Sequence, residues 1–169
     1  MYLFKVQPFY HNNPAIHSQV VTSYERIAEN QKAFKSRDKI TNLYVKDGPW
    51  YAFNHRNQEA IDQARGLMKD ALLQSGEYHY EMAKGFTSQA EQSALVSDKE
   101  ALLKKASKEY DQASLAYQRY LNRYNQDENT YTLMVRYADA LFFSNHYAKA
   151  LDQYLKVRDS KLGDEYKNF

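Results

Sequence analysis

The chain has no cysteine, which excludes disulfides, thiolate metal sites and cysteine nucleophiles. That absence does not choose between cytosol and periplasm. Glycine and proline are scarce, at 5 and 3 residues in 169, together well below the roughly 12% of average usage. With so few turn formers, the expectation is long helices with few breaks. No apolar run approaches the ~20 residues needed to cross a bilayer, and the mean hydropathy is −0.82. Neither charge sign dominates: 23 basic against 21 acidic residues leave a net charge of +2. That balance excludes a bulk electrostatic nucleic-acid binder, though not a local basic patch. What the chain does have is apolar content of 43% and charged content of 26%, enough to exclude intrinsic disorder. Its length suits one domain, or one stretch of a longer array. It also has 16 tyrosines, a residue suited to packed helices with wet edges because the ring buries area while the hydroxyl finds water or a partner.

The chain divides by its punctuation. Residues 1–13 form an N-terminal extension, with weak strand character confined to Tyr2–Val6 and no features of a signal peptide. Asn13-Pro14 reads as a helix start, Asn as N-cap and Pro at the first helical position. Ile16, Val20, Tyr24 and Ile27 then give an amphipathic face. After a break at Glu29-Asn30, a second helix carries Ala33, Phe34, Ile40, Leu43 and Tyr44, completing a helix pair over 14–45. Asp47-Gly48-Pro49 ends it and opens an aromatic loop over 46–57, closed by Asn57 as the next cap.

An elongated pair over 58–124 follows. Its first helix runs to about Ala94, with Ala60, Ala64, Leu67, Met68, Ala71 and Leu72 and then Tyr78, Met82 and Phe86 as the apolar face. Gly66, Gly76 and Gly85 each weaken it by about 1 kcal/mol relative to Ala. Ser97-Asp98-Lys99-Glu100 reads as a capping box that starts the second helix near Asp98. Asn125–Asn129 is a polar turn, Thr130–Phe143 and Tyr147–Val157 are a last helix pair around a tight Ser144-Asn145 turn, and 158–169 reads as the start of a further, truncated repeat. The expectation is therefore a piece of a larger protein.

Tyr110, Ala113 and Tyr117 recur as Tyr147, Ala150 and Tyr154, offset by 37 residues at all three positions. Periods of 20–50 residues signal solenoids, and the small alanine lets a neighbouring helix approach closely. With Ala138, Leu141 and Val157, this pattern resembles the tetratricopeptide repeat (TPR). The resemblance implies an all-α, TPR-like right-handed superhelix of antiparallel helix pairs with one elongated central pair. It covers Tyr131 to Val157 nearly throughout. In the N-terminal pair Ala33, Val21 and Tyr24 fit, but Asn30 and Arg37 stand where aromatics are expected, and Asn125 stands where the repeat usually has proline. The dispersed positions Tyr120-Leu121, Tyr137–Phe142 and Val157–Ser160, with Trp50, Asn54-His55 and Tyr78-His79-Tyr80, are similar to envelope TPR proteins of gliding and predatory bacteria, notably those of adventurous gliding motility. That likeness implies a periplasmic or outer-membrane-associated scaffold, held to the membrane through parts outside this chain; the cytoplasm is the alternative.

Chemistry leaves little trace. There is no G-x-G-x-x-G, phosphate loop, G-x-S-x-G elbow or H-E-x-x-H, so no catalytic, cofactor-binding or metal-ligating set is expected. The histidines at 11, 17, 55, 79 and 146 are scattered, and His79 reads as packed or exposed rather than as a ligand. Glu109 and Asp111, and Asp127-Glu128, read as a solvated face and a helix-start turn. Lys104, Lys105 and Lys108 form a basic face partly explained by Glu100 four residues before Lys104.

The loop residues Trp50, Tyr51, Phe53 and His55 either stack a peptide or glycan or plug the end of the elongated pair, as long solenoid loops usually do. Phe142 and Phe143 fall near the concave side in TPR geometry, with Val135 and Asp139 on the same face by spacing; a partner or a neighbouring repeat is expected against them. The expected function is thus a non-catalytic protein–protein interaction scaffold with no nucleic-acid partner. A peptide or helix would lie in a groove formed by Val135, Asp139, Phe142 and Phe143, and by Thr22, Glu25 and Arg26 at the N-terminal pair. The rivals are a peptidoglycan- or glycan-binding module using the aromatic loop, and an enzyme whose site only tertiary structure reveals.

Overall fold

A computed structural model describes residues 3–161. Among them are eight helices and no strand: α1 (Leu3–Val6), α2 (Asn13–Arg26), α3 (Asn30–Leu43), α4 (Pro49–Asn54), α5 (Gln58–Gln92), α6 (Val96–Arg123), α7 (Thr130–Phe143) and α8 (Tyr147–Asp159). The all-α expectation holds, and the described part of the Tyr2–Val6 stretch is α1. The chain forms two compact units, Met1–Ser75 and Gly76–Phe169, and α5 runs unbroken across the division.

In the first unit α2 packs on α3. Asn13 is not the cap of α2. It is fully buried inside the first turn, and its side-chain amide donates to the carbonyls of Gln7 (2.8 Å) and Pro8 (3.1 Å), tying the preceding segment to the helix. The α2–α3 turn is a Schellman motif. Ala28 takes a left-handed φ of 57°, its N–H donates to Glu25 O and the Glu29 N–H donates to Tyr24 O. The core gathers Val21, Ala33, Ile40, Tyr44, Trp50, Ile61, Ala64 and Met68.

The expected aromatic loop is largely the helix α4. Proline ends a helix from within but suits the first turn of the next, where its fixed φ is already helical. The same Gly48-Pro49 that stops α3 therefore starts α4. Asn57 caps α5 as expected, its Oδ1 accepting from the Ala60 N–H at 3.1 Å. Arg37, in place of an aromatic, is buried and ion-paired with Glu25 of α2.

In the second unit α6 packs on α7 and α7 on α8. Gly76, His79 and Tyr80 of α5 meet Tyr117, Glu109 and Tyr110 of α6, so these two helices are antiparallel. The buried face of α5 here is not Tyr78, Met82 and Phe86. It is Gly76, His79, Ala83 and Ala90, with Met82 exposed. Small residues win these positions because α6 brings bulky Tyr110 and Tyr117 to the contact; a Cβ at Gly76 would overlap the Tyr117 ring. The capping box does not form. The helix α6 begins at Val96, Ser97 lies inside its first turn, and no side chain caps it. Asp98 still complements the helix dipole from the first turn. The α7–α8 turn repeats the Schellman geometry of the first unit, with Asn145 at φ 67° and bonds from Asn145 N to Phe142 O and from His146 N to Leu141 O.

Candidate interaction surface

The 37-residue repeat is a repeat in structure with one difference. Ala113 and Ala150 are both buried, as the close-approach reading requires. Tyr110 and Tyr117 are buried too, but their counterparts on α8 are open, Tyr147 at 57% exposure and Tyr154 at 36%. The first copy is covered by α7. Phe143 stacks on Tyr110 with centroids 5.0 Å apart, and the Arg136 guanidinium lies against the Tyr117 hydroxyl. Leu151, Phe142 and Phe143 add further exposed apolar area at the α7–α8 end. A contiguous apolar surface of this kind marks an interaction site more often than a solvated face.

Charge is distributed over this face by α5 and α7. Arg136 donates to Glu77 Oε1 at 2.8 Å and sits 5.9 Å from the centroid of the Tyr80 ring. Tyr80 in turn packs edge-on against Tyr110. Three residues on from Arg136, Asp139 accepts the Tyr154 hydroxyl proton at 2.6 Å through Oδ1. Burial, reinforced by Asp139, pushes the Tyr80 hydroxyl up to about 12 and the Tyr154 hydroxyl higher still. Burial also raises Tyr117, opposed by Arg136. All of these phenols stay protonated in the physiological range, and that of Tyr154 donates to Asp139.

Of the sequence-derived groove residues, Asp139, Phe142 and Phe143 come together here. Their ring partners differ: Phe143 reaches α6 at Tyr110, while Phe142 meets Tyr147 of α8 edge-on at 5.4 Å. Val135 is half-buried on the same helix. Thr22, Glu25 and Arg26 are exposed on α2 in the first unit. There Thr22 and Glu25 border a cleft of about 110 Å³ with Arg37, Leu67 and Asp70, while Arg26 lies outside its lining.

The aromatic segment is split. Trp50 is 2% exposed, edge-on to Tyr44, and its indole N–H donates to the Tyr10 carbonyl at 3.0 Å. Tyr51 is half-buried. Phe53 is 70% exposed and stacks on Phe9 beside a 430 Å³ pocket lined by Gln7–His11, Phe53 and Asn54. His55 is exposed, with Nδ1 2.7 Å from the Ala52 carbonyl.

The carboxylates read as a solvated face are instead engaged by histidines, Glu109 with His79 at 2.5 Å and Asp111 with His146 at 2.9 Å. Asp127 lies in the turn that starts α7, as expected, and accepts there from the Tyr120 hydroxyl at 2.6 Å and from the Asn129 N–H. No group of three or more metal-ligating side chains exists among the described residues. None of their helices is long and apolar enough to cross a membrane. The sequence reading missed Arg136 and its partners. The available signal was that Arg136 is the lone charge in the apolar run Thr130–Ala138, and such a residue needs a partner. No protein-family model, curated protein or solved structure matches the chain.

Proposed function

We propose that this chain is a non-catalytic protein–protein interaction module, a TPR-like superhelix whose α7–α8 end receives a peptide or helix of a partner. The observation that carries it is the exposed aromatic face of Phe142, Phe143, Tyr147 and Tyr154; the counterparts of its two tyrosines one repeat earlier, Tyr110 and Tyr117, are buried under α7. Each helix pair of a solenoid leaves one face for its neighbour, and a face of aromatic residues around one acid has the composition of binding hot spots. The setting we propose is a bacterial cell-envelope complex of the gliding-motility kind, in the periplasm or at the outer membrane. Phe142→Ala combined with Phe143→Ala is expected to abolish partner capture while leaving the helical circular dichroism unchanged; undiminished capture refutes the reading.

A second reading, binding of peptidoglycan or another glycan, is supported by the open Phe53 ring and its pocket with Phe9. It loses Trp50, which is spent on the core. Sedimentation with insoluble cell wall, lost on Phe53→Ala, would favour it.

A further inference from the structure

The two copies of the repeat also share an acid. In the first copy Glu77 of α5 lies near Tyr117 of α6, close enough to raise its hydroxyl. In the second, Asp139 of α7 holds Tyr154 of α8, the residue 37 positions on. The helix preceding each repeat tyrosine therefore carries a carboxylate on that side, hydrogen-bonded to the tyrosine in the second copy and bridged through Arg136 in the first. In the first copy the next helix, α7, completes the arrangement. Arg136 bonds Glu77 and lies against Tyr117, and Phe143, two turns on, stacks on Tyr110. In the second copy Tyr147 and Tyr154 are exposed and Asp139 is half-buried, and Asp139 makes no ion pair among the described residues. Arg136, beside Tyr80, and Lys84, beside Tyr110, are ion-paired to Glu77 and Glu81. Among the described residues, the Tyr154 hydroxyl is the hydrogen-bond partner of Asp139.

We infer that the α7–α8 face is built to dock a helix presenting an arginine to Asp139 and, two turns away, an aromatic ring to Tyr147, reproducing in a partner what Arg136 and Phe143 of α7 do one repeat earlier. The inference rests on the interaction reading above and names its partner's chemistry. A guanidinium fits better than an ammonium. Its planar fork can meet the carboxylate while its face lies on a tyrosine ring, as Arg136 does between Glu77 and Tyr80.

The test uses the whole chain and a defined probe. This is a fluorescently labelled, alanine-based helical peptide with Arg and, seven residues later, Phe, alongside the same peptide with Gln for Arg and another with Lys for Arg. Binding is read by anisotropy. The Arg peptide is expected to bind saturably, about tenfold more tightly than the Gln peptide and more tightly than the Lys peptide. In Asp139→Asn, a substitution of nearly unchanged shape at a half-exposed site, that Arg preference is expected to vanish. Absence of saturable binding by the Arg peptide, equal binding of the Gln peptide, or an undiminished preference in Asp139→Asn overturns the inference. If the Phe142/Phe143 double variant still loses its partner while the Arg peptide fails to bind, the interaction reading stands and only the arginine assignment falls.

Discussion

Gly76 is the sharpest place to perturb the second unit, because one substitution carries opposite signs along one helix. The helix α5 contains three glycines. Around Gly66 and Gly85 an added Cβ meets no atom within 4 Å, whereas at Gly76 it would overlap the ring of Tyr117. That ring is fully buried and cannot swing away. Ala for Gly in a helix gains about 0.8–1 kcal/mol from backbone propensity. Gly85→Ala should gain most of that, which raises the melting temperature by about 2–4 °C in a chain of this size. At Gly76 the same gain is opposed by overpacking, typically about 1–3 kcal/mol, and since the overlap is with a rigid aromatic the cost falls at the upper end. The net is a loss of about 1–2 kcal/mol. Urea unfolding followed by circular dichroism, with Gly85→Ala as the control in the same unit, measures both. If Gly76→Ala stabilises as much as Gly85→Ala, the close α5–α6 approach is wrong, and with it the explanation of why small residues occupy that face.

Two predictions concern the first unit. Ala28→Gly should stabilise it by roughly 0.5–1 kcal/mol, because a left-handed residue with a Cβ is strained and this exposed side chain gives nothing back; a lower melting temperature would contradict the Schellman turn. His17 is buried with Nδ1 2.6 Å from the Tyr44 hydroxyl, and burial, aided by Lys39, lowers its pKa to about 4. The unfolded chain takes up a proton near pH 6.5 that the fold refuses until about 4. Stability should therefore be full above pH 6.5 and fall by roughly 3 kcal/mol as pH drops through that window. His17→Gln should flatten the loss over that range in acid-unfolding curves, and an unchanged slope would show that His17 is not its source.

The helices of 13–43 and 130–159 and the start of α5 were legible because amphipathic spacing, the Ser144-Asn145 turn and the Asn57 cap all act locally. Two of the failures share one cause, competition from tertiary contacts; the unformed cap at Ser97 lies on an exposed turn and has no such contact. Gly48-Pro49 read as a break, but the same proline starts α4 because Trp50 gains a core site and a carbonyl partner. Ser97 offers a cap, yet the helix begins before it. On α5 the apolar spacing pointed to Tyr78, Met82 and Phe86, while the contact selected small residues that admit the tyrosines of α6. Within the candidate site, Asp139, Phe142 and Phe143 were found by helical spacing. Arg136, Glu77 and Tyr80 were not, because their relation spans 56–59 residues and exists only once α5 and α7 lie side by side.

The most direct measurement is quantitative affinity capture from source-cell envelope extract with three baits: the native chain, Phe142→Ala/Phe143→Ala, and Phe53→Ala. A partner retained by the native and Phe53 baits and lost by the double variant is expected. Equal recovery on the native and double-variant baits would contradict an interaction surface at the α7–α8 end.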